Sequence, residues 1–509
     1  MDVTQILMLI TILVYLAAMV GIGAVLAKQN QTTDDFYLGG RTLGPLVTAM
    51  SAEASDMSSW LLMGLPGVAY LSGTADAAWT AIGLAIGTYV NWLVVAKRLR
   101  NYTHVCGNST TLPLFFSNRY RDNKRILSVI AALLIIIFFV PYTASGFAAC
   151  GKLFANLFGM DYLPAMLISA IVIVAYTTLG GFLAASTTDF VQSIVMTIAI
   201  VVVFGFGISK VGSFSAVMDN AKSMAGYFSL THTHDVATGT ASPYSLLQIF
   251  STLAWGLGYF GMPHVLLRFM AIGDANKLKL SRRVATVLVV IAMAVSVFIG
   301  VIGNAMTKAG VLPTLKDPET IILVVADLIS KHGVLATIIA GLILAGILAA
   351  TMSTADSQLL AASSSASQNI LKEVFMKDMS EKTGMLIARI TVLVIALIGV
   401  FIARNPDSSV FQIVSFAWAG FGASFGPLVL LALFWKRSTF QGALCGMVSG
   451  GVMVFVWKFL IRPMGGALGI YELLPAFLLG LAVNVIVSLL TPAPSREVQD
   501  EFDKVASMK

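Results

Sequence analysis

About thirteen apolar segments run through this chain, each long enough to cross a ~30 Å hydrocarbon core at 1.5 Å of rise per residue. They fall near 5–27, 45–70, 76–96, 126–150, 160–183, 189–209, 244–270, 284–307, 332–360, 384–403, 408–435, 440–461 and 472–491. No soluble domain of any size separates them. A bilayer offers no water to backbone amides and carbonyls, so such a chain folds as helices that satisfy their own hydrogen bonds. Composition agrees: 57% of residues are hydrophobic and 11% charged, whereas a soluble protein carries about a quarter charged. The expected fold class is an all-α membrane protein of about 13 transmembrane helices. The N-terminus, MDVTQILMLITILVYLAAM, has an acid and no base before its apolar run, and reads as a retained first span.

The net charge of +7 could suggest nucleic acid, but the bases cluster in short loops between spans, which is an orientation signal. Assigning loops alternately, with the N-terminus outside, puts about 23 of the 32 Lys and Arg on the cytoplasmic side. The densest groups are Lys97 to Arg125 and Arg268 to Arg283. The C-terminus is then cytoplasmic, in a multi-pass protein of the cell inner membrane. Nothing points to an obligate protein partner. Cys106, Cys150 and Cys445 form no CxxC pair, so neither a disulfide framework nor a structural metal site is expected. There is no GxSxG, HExxH or phosphate-loop signature, so an enzyme is not expected.

Two spans are interrupted. Ser51 to Gly67, SAEASDMSSWLLMGLPG, carries Glu53, Asp56 and four serines inside an apolar run, then Gly64, Pro66 and Gly67. An acid at mid-membrane costs at least a few kcal/mol and ordinarily faces a cavity with a task. Trp255 to Pro263, WGLGYFGMP, breaks the seventh span in the same manner. Two Gly/Pro-broken spans five apart are the pattern of inverted-repeat transporters, in which freed backbone groups ligate ions and carboxylates. Asp56 is the leading candidate for a charged anchor that favours a bound cation, against an ion pair with a base such as Arg41. Glu53, three residues earlier, shares its face.

A second hydroxyl cluster lies in the ninth span. Ala350, Ser353 and Thr354 share one helical face, and their oxygens suit a small hard cation. Hydroxyls that bond back to their own helix are the plain alternative. Asp356 sits beside them. Trp255, Tyr259 and Pro263, at i, i+4 and i+8, and Tyr142 in PYTASG could wall a small solute or simply pack. Asp189 reads as the acid that caps the sixth span. His232 and His234 lie in an external loop. His104, His264 and His332 sit at span ends.

These blocks resemble the sodium:solute symporter family over nearly the whole length. The resemblance is carried by FYLGGRTLGP at 36–45, SAEASDMSSWLLMGLPG at 51–67 and WGLGYFGMPHVLLRFMA at 255–271. LAATMSTADSQLL at 348–360 and SFAWAGFGASFGPLVL at 415–430 add to it. It implies a leucine-transporter-type core of two inverted five-helix repeats, and coupled import of Na+ and L-proline by alternating access. It implies sodium ligands at Ala54, Met57, Ala350, Ser353 and Thr354, with Asp56 as the acid near the ion. It implies solute contacts at Asp56, Ser58, Ser59, Trp60, Tyr142, Trp255, Tyr259 and Pro263, and an influence of Arg41 and Ser51 on sodium-dependent transport. The family's proline carriers have Gly in place of Glu53 and Ser59, and a less polar residue in place of Asp356. The alternative is sodium- or proton-coupled symport of another small amino acid or a monocarboxylate.

The expected organisation is a first span and cytoplasmic loop (1–44), a first repeat (45–209) and an external loop (210–243). A second repeat (244–435), peripheral spans (436–491) and a cytoplasmic tail (492–509) complete it.

Overall fold

The structure is a computed structural model that describes residues 2–26, 28, 32–375, 380–405 and 409–508. In chain order the helices begin with α1 (Val3–Leu26), α2 (Thr33–Leu38), α3 (Pro45–Asp56), α4 (Leu65–Ser72), α5 (Thr74–Val90), α6 (Ala96–Val105) and α7 (Leu112–Arg119). They continue with α8 (Ile126–Phe158), α9 (Tyr162–Val211) and α10 (Phe214–Ser223). After a hairpin of β1 (His232–His234) and β2 (Ala241–Pro243) come α11 (Leu246–Leu253), α12 (Pro263–Ala271), α13 (Leu278–Lys308), α14 (Ile321–Ser330) and α15 (Val334–Ser364). The chain closes with α16 (Glu381–Ala403), α17 (Val410–Phe434), α18 (Phe440–Val456), α19 (Leu473–Leu490) and α20 (Arg496–Ser507).

Among the described residues ten helices are long and apolar enough to cross a membrane. The remaining expected segments are shorter or interrupted: 45–72, 162–180 and 246–271. The fifth and sixth expected spans form one element that turns at Gly181, whose φ of 62° suits a residue without a Cβ. Two connections are more structured than expected. The 210–243 loop holds α10 and the β-hairpin, a small departure from all-α. The 308–331 loop folds inward as the apolar helix α14, with Ile321, Ile322 and Leu323 buried.

Both broken spans stop for local reasons. α3 ends where Met57 turns to ψ 50°; Ser58 Oγ then accepts from Trp60 N at 3.2 Å, and a π-type turn, Trp60–Gly64, leads into α4. α11 tightens into a 3-10 stretch, Ala254–Phe260, and Pro263 opens α12 at its first position, where a missing N–H is harmless. The two are tied at the end of the bundle that carries the basic loops. Leu43 N donates to Ala271 O (3.2 Å) and Gly273 N to Leu43 O (3.0 Å). The turn at 254–260 nests close to its neighbours because glycines face it. A Cβ on Gly87 would meet the Gly256 backbone, and one on Gly258 the Trp418 indole.

Candidate functional site

The break in the second span and the middle of α15 meet directly. Ser353 Oγ donates to Ala54 O at 2.8 Å and lies 3.2 Å from Ala350 O; Thr354 Oγ1 donates to Ala350 O at 3.1 Å. Ser353 therefore joins α15 to the break at Ala54, the Thr354 bond stays within its own helix, and Met57 follows the end of α3. A hydroxyl has one proton and two lone pairs. The Ser353 and Thr354 hydroxyls and the Ala54 and Ala350 carbonyls are hard, neutral oxygen donors of the kind a small cation takes.

Asp56 closes α3 beside this cluster, buried at 5% exposure. It accepts from Tyr259 Oη, a bond that joins the two broken spans, and does not pair with Arg41. Arg41 instead braces the basic end: Nη1 donates to Met270 O (2.6 Å) and Nη2 to Ser109 O (2.7 Å). Glu53 accepts from Trp92 Nε1 at 3.1 Å through Oε1, while Oε2 has no hydrogen-bond partner among the described residues.

Above Asp56 stands an aromatic cluster. Trp60 and Trp255 have ring centroids 5.5 Å apart, and Phe411 covers both at 6.1 and 5.6 Å. Trp255 stacks on Tyr471 at 5.1 Å, and Trp418 meets Tyr259 edge-on at 5.1 Å while donating to Trp255 O at 2.8 Å. Tyr142 has Asp56 and Ser58 as polar neighbours. Ser59 Oγ and Trp60 Nε1 are buried with no hydrogen-bond partner among the described residues. Pro263 is buried one turn beyond Tyr259. Placing a Cβ at Gly258 against the Trp418 indole costs about 1–3 kcal/mol of overpacking. Gly258→Ala is accordingly expected to lower the melting temperature in detergent by several degrees, read by thermal unfolding.

Polar layers lie on both sides. Towards the 308–331 connection, a cavity of about 420 Å³ is lined by Gly64, Gly67, Lys152, Glu319 and Phe411. Glu319 accepts from Ser409 Oγ (2.9 Å), Val410 N (3.1 Å), Phe411 N (3.1 Å) and Lys152 Nζ (3.1 Å). It thus caps α17 and fixes Phe411 over the tryptophans. Towards the basic end, Arg268 Nη2 pairs with Asp189 Oδ2 at 3.1 Å and donates to Ser357 Oγ at 2.5 Å. Arg268 Nε and Asp189 Oδ2 also bond Ser51 Oγ, at 3.0 and 2.6 Å. All four are at most 3% exposed. Asp356 Oδ1 lies 3.1 Å from Ser357 Oγ in this layer.

Three expectations are thereby corrected. Asp189 is no cap: its helix starts at Gly181 and the acid lies two turns inside, ion-paired. Arg268 belongs to that buried pair and not to the basic loop cluster. His264 is fully buried within α12, not at a span end. Lys152, Glu319, Phe411, Trp418 and Tyr471 were not foreseen; of these only Trp418 lay in a motif block, SFAWAGFG, that could have pointed to it.

The sodium:solute symporter family model matches residues 36–450. The sodium/proline symporter of Salmonella typhimurium is 41% identical over 502 residues, covering 98% of this chain and 96% of that one. The osmoregulated proline transporter OpuE of Bacillus subtilis is 40% identical over 489 residues, covering 96% of each. Among solved structures, a substrate-bound, outward-open Na+-coupled sialic acid symporter superposes with a TM-score of 0.78 at 19% identity, covering 96% of this chain and 99% of that one. The nucleobase-cation-symport transporter Mhp1, in a closed conformation, gives 0.56 at 14% identity, covering 92% and 98%. The core is of the leucine-transporter type, with broken helices in inverted repeats. With its family model matched over most of its length and its oxygen cluster at the junction of a broken span and α15, the chain belongs to the sodium:solute symporter family.

Proposed function

We infer that the protein imports L-proline, driven by Na+, across the cytoplasmic membrane by alternating access. The observation that supports this reading is the bond from Ser353 Oγ to Ala54 O, which joins two of the implied sodium ligands across the broken span and α15. Names of relatives at 40–41% identity over nearly their full lengths support the substrate. The proposed ligands are Ala54, Met57, Ala350, Ser353 and Thr354. Asp56, Ser58, Ser59, Trp60, Tyr142, Trp255, Tyr259 and Pro263 are the proposed solute contacts. Two five-helix repeats, 45–209 and 244–435, form the proposed core, with the N-terminus outside and the basic end cytoplasmic.

Sodium pulls the break in the second span against α15. That fixes Asp56 and Ser58 for the solute, so each ligand raises the affinity for the other. Inward movement of one charge gains ~2.3 kcal/mol per 100 mV before the concentration gradient is counted. Closure of Phe411 on one side and rupture of the Arg268–Asp189 layer on the other give access to alternate faces. Labelled proline uptake into membrane vesicles should follow an inward sodium gradient; uptake indifferent to that gradient would defeat the reading.

One observation favours a second cargo. Ser59 Oγ is buried with no hydrogen-bond partner among the described residues, and the three ring methylenes of proline would leave it unused, which suits a small amino acid with one more polar group than proline. Competition of labelled proline uptake by a panel of small amino acids and monocarboxylates separates the two. A polar analogue that competes better than unlabelled proline supports the second.

A further inference from the structure

α20 is an amphipathic helix seated on the basic end. Val498, Phe502 and Val505, at i, i+4 and i+7, are buried. The helix carries four acids against two bases. Glu497 and Glu501 hold Arg121 at 3.0 and 2.9 Å, and Asp503 pairs with Lys436. The Phe502 ring has two guanidiniums near it, that of Arg98 at 4.9 Å and that of Arg119 at 5.5 Å. Arg119 is wholly buried. Its Nε donates to Ala432 O at 3.0 Å, and its two terminal nitrogens have only aromatic faces, those of Tyr102, Tyr120 and Phe502.

What α20 grips is informative. α6 continues α5 through the 91–95 turn, and this stretch reaches the proposed solute site: Asn91 Nδ2 donates to Tyr259 O at 3.1 Å, and Gly83 and Gly87 of α5 pack on the 254–260 turn. α17 forms the opposite wall through Phe411 and Trp418 and ends beside Ala432, Phe434 and Lys436. Arg98 lies against both Phe434 and Phe502, at 5.0 and 4.9 Å. One short helix therefore fastens together the near ends of the two walls that enclose the solute. Of the pairs that hold it, Asp503–Lys436 is solvent-exposed on both sides (55% and 40%) and Glu497 is 75% exposed, so salt screens these two, while Glu501 is 13% exposed against Arg121.

We propose that α20 is a salt-sensitive strap: docked, it holds the cytoplasmic ends of α6 and α17 together and slows inward opening, and rising internal ionic strength loosens it and speeds transport. Lifting the helix removes at once the ring that Arg98 and Arg119 share and the acids that hold Arg121 and Lys436, so its contacts are lost together.

The strap rests on the transport reading, and the two fail separately. Sodium-driven uptake at any single internal salt concentration tests transport; its dependence on internal salt tests the strap. In right-side-out vesicles loaded with KCl from ~0.01 to ~0.3 M, balanced with sucrose, the maximal rate of the wild-type chain is expected to rise at least ~3-fold. Phe502→Ala is expected to start near the high-salt rate and stay flat. A wild-type rate indifferent to internal KCl, or a Phe502→Ala response equal to the wild type, overturns the proposal. A disulfide between Lys436→Cys and Asp503→Cys provides the second measurement. Oxidised, it should lower uptake at high internal salt at least ~3-fold, with recovery on reduction. Equal rates in the oxidised and reduced states overturn it as well.

Discussion

Replacing Asp56 by asparagine is expected to raise the sodium concentration for half-maximal uptake by about 30-fold or more, with the protein inserted at normal levels. The substitution keeps size and leaves an oxygen to accept from Tyr259, so the bond joining the broken spans survives. Only the charge is lost. A carboxylate 4 Å from a monovalent cation contributes about 4 kcal/mol at an effective dielectric near 20, and less with distance. Even half of that is about 30-fold in affinity. Thr354→Ala removes one neutral ligand among several and is expected to have the same direction with a smaller effect, near 10-fold. If Asp56 serves only as an acceptor for Tyr259, the asparagine variant will titrate with sodium like the wild type. An unchanged sodium dependence in both variants would dispose of the site assignment while leaving the fold untouched.

The parts of this site that were legible in the sequence are those that break a local rule. Hydroxyls, acids, Gly and Pro inside a span cannot be explained by lipid, so the interruptions at Asp56 and at Trp255–Pro263 announced themselves. The shared face of Ala350, Ser353 and Thr354 followed from helical spacing alone. What stayed hidden depends on partners far along the chain. Asp189 looks like a cap until Arg268, 79 residues away, is set against it, and Arg268 looks like one more loop base until it is seen buried. Glu319 binds Lys152 and the start of α17 across separations of 167 and 91 residues, and its own connection reads as a polar loop although α14 within it is apolar. Trp418 and Tyr471 sit where aromatics are ordinary packing. Nothing in one chain's periodicity separates a packing ring from a pocket wall.

Removing the arginine of the inner layer should be the most destabilising single change in the core. Arg268→Ala strands Asp189 at 0% exposure with, among the described residues, only Ser51 to donate to it, and deprives Ser357 of its donor. Breaking one side of a buried ion pair costs about 3–5 kcal/mol, because a desolvated charge is left without its counterpart. Replacing both sides by apolar groups of similar volume is often neutral or stabilising. The pair Arg268→Met with Asp189→Leu should thus recover the melting temperature that Arg268→Ala loses. Transport should not recover with it. Ser51 stands on α3 just over one turn before Asp56, and Ser357 on α15 donates to Ser353 O at 2.9 Å, so the ion pair clamps both elements that would hold sodium. An apolar plug keeps them packed but cannot separate through hydrated charges when the inner side opens. Thermal melting in detergent and sodium-driven uptake, measured on the same preparations, test the two halves independently. A stable Arg268→Ala variant denies the energetic argument, and a double variant with full uptake denies that this layer must part for transport.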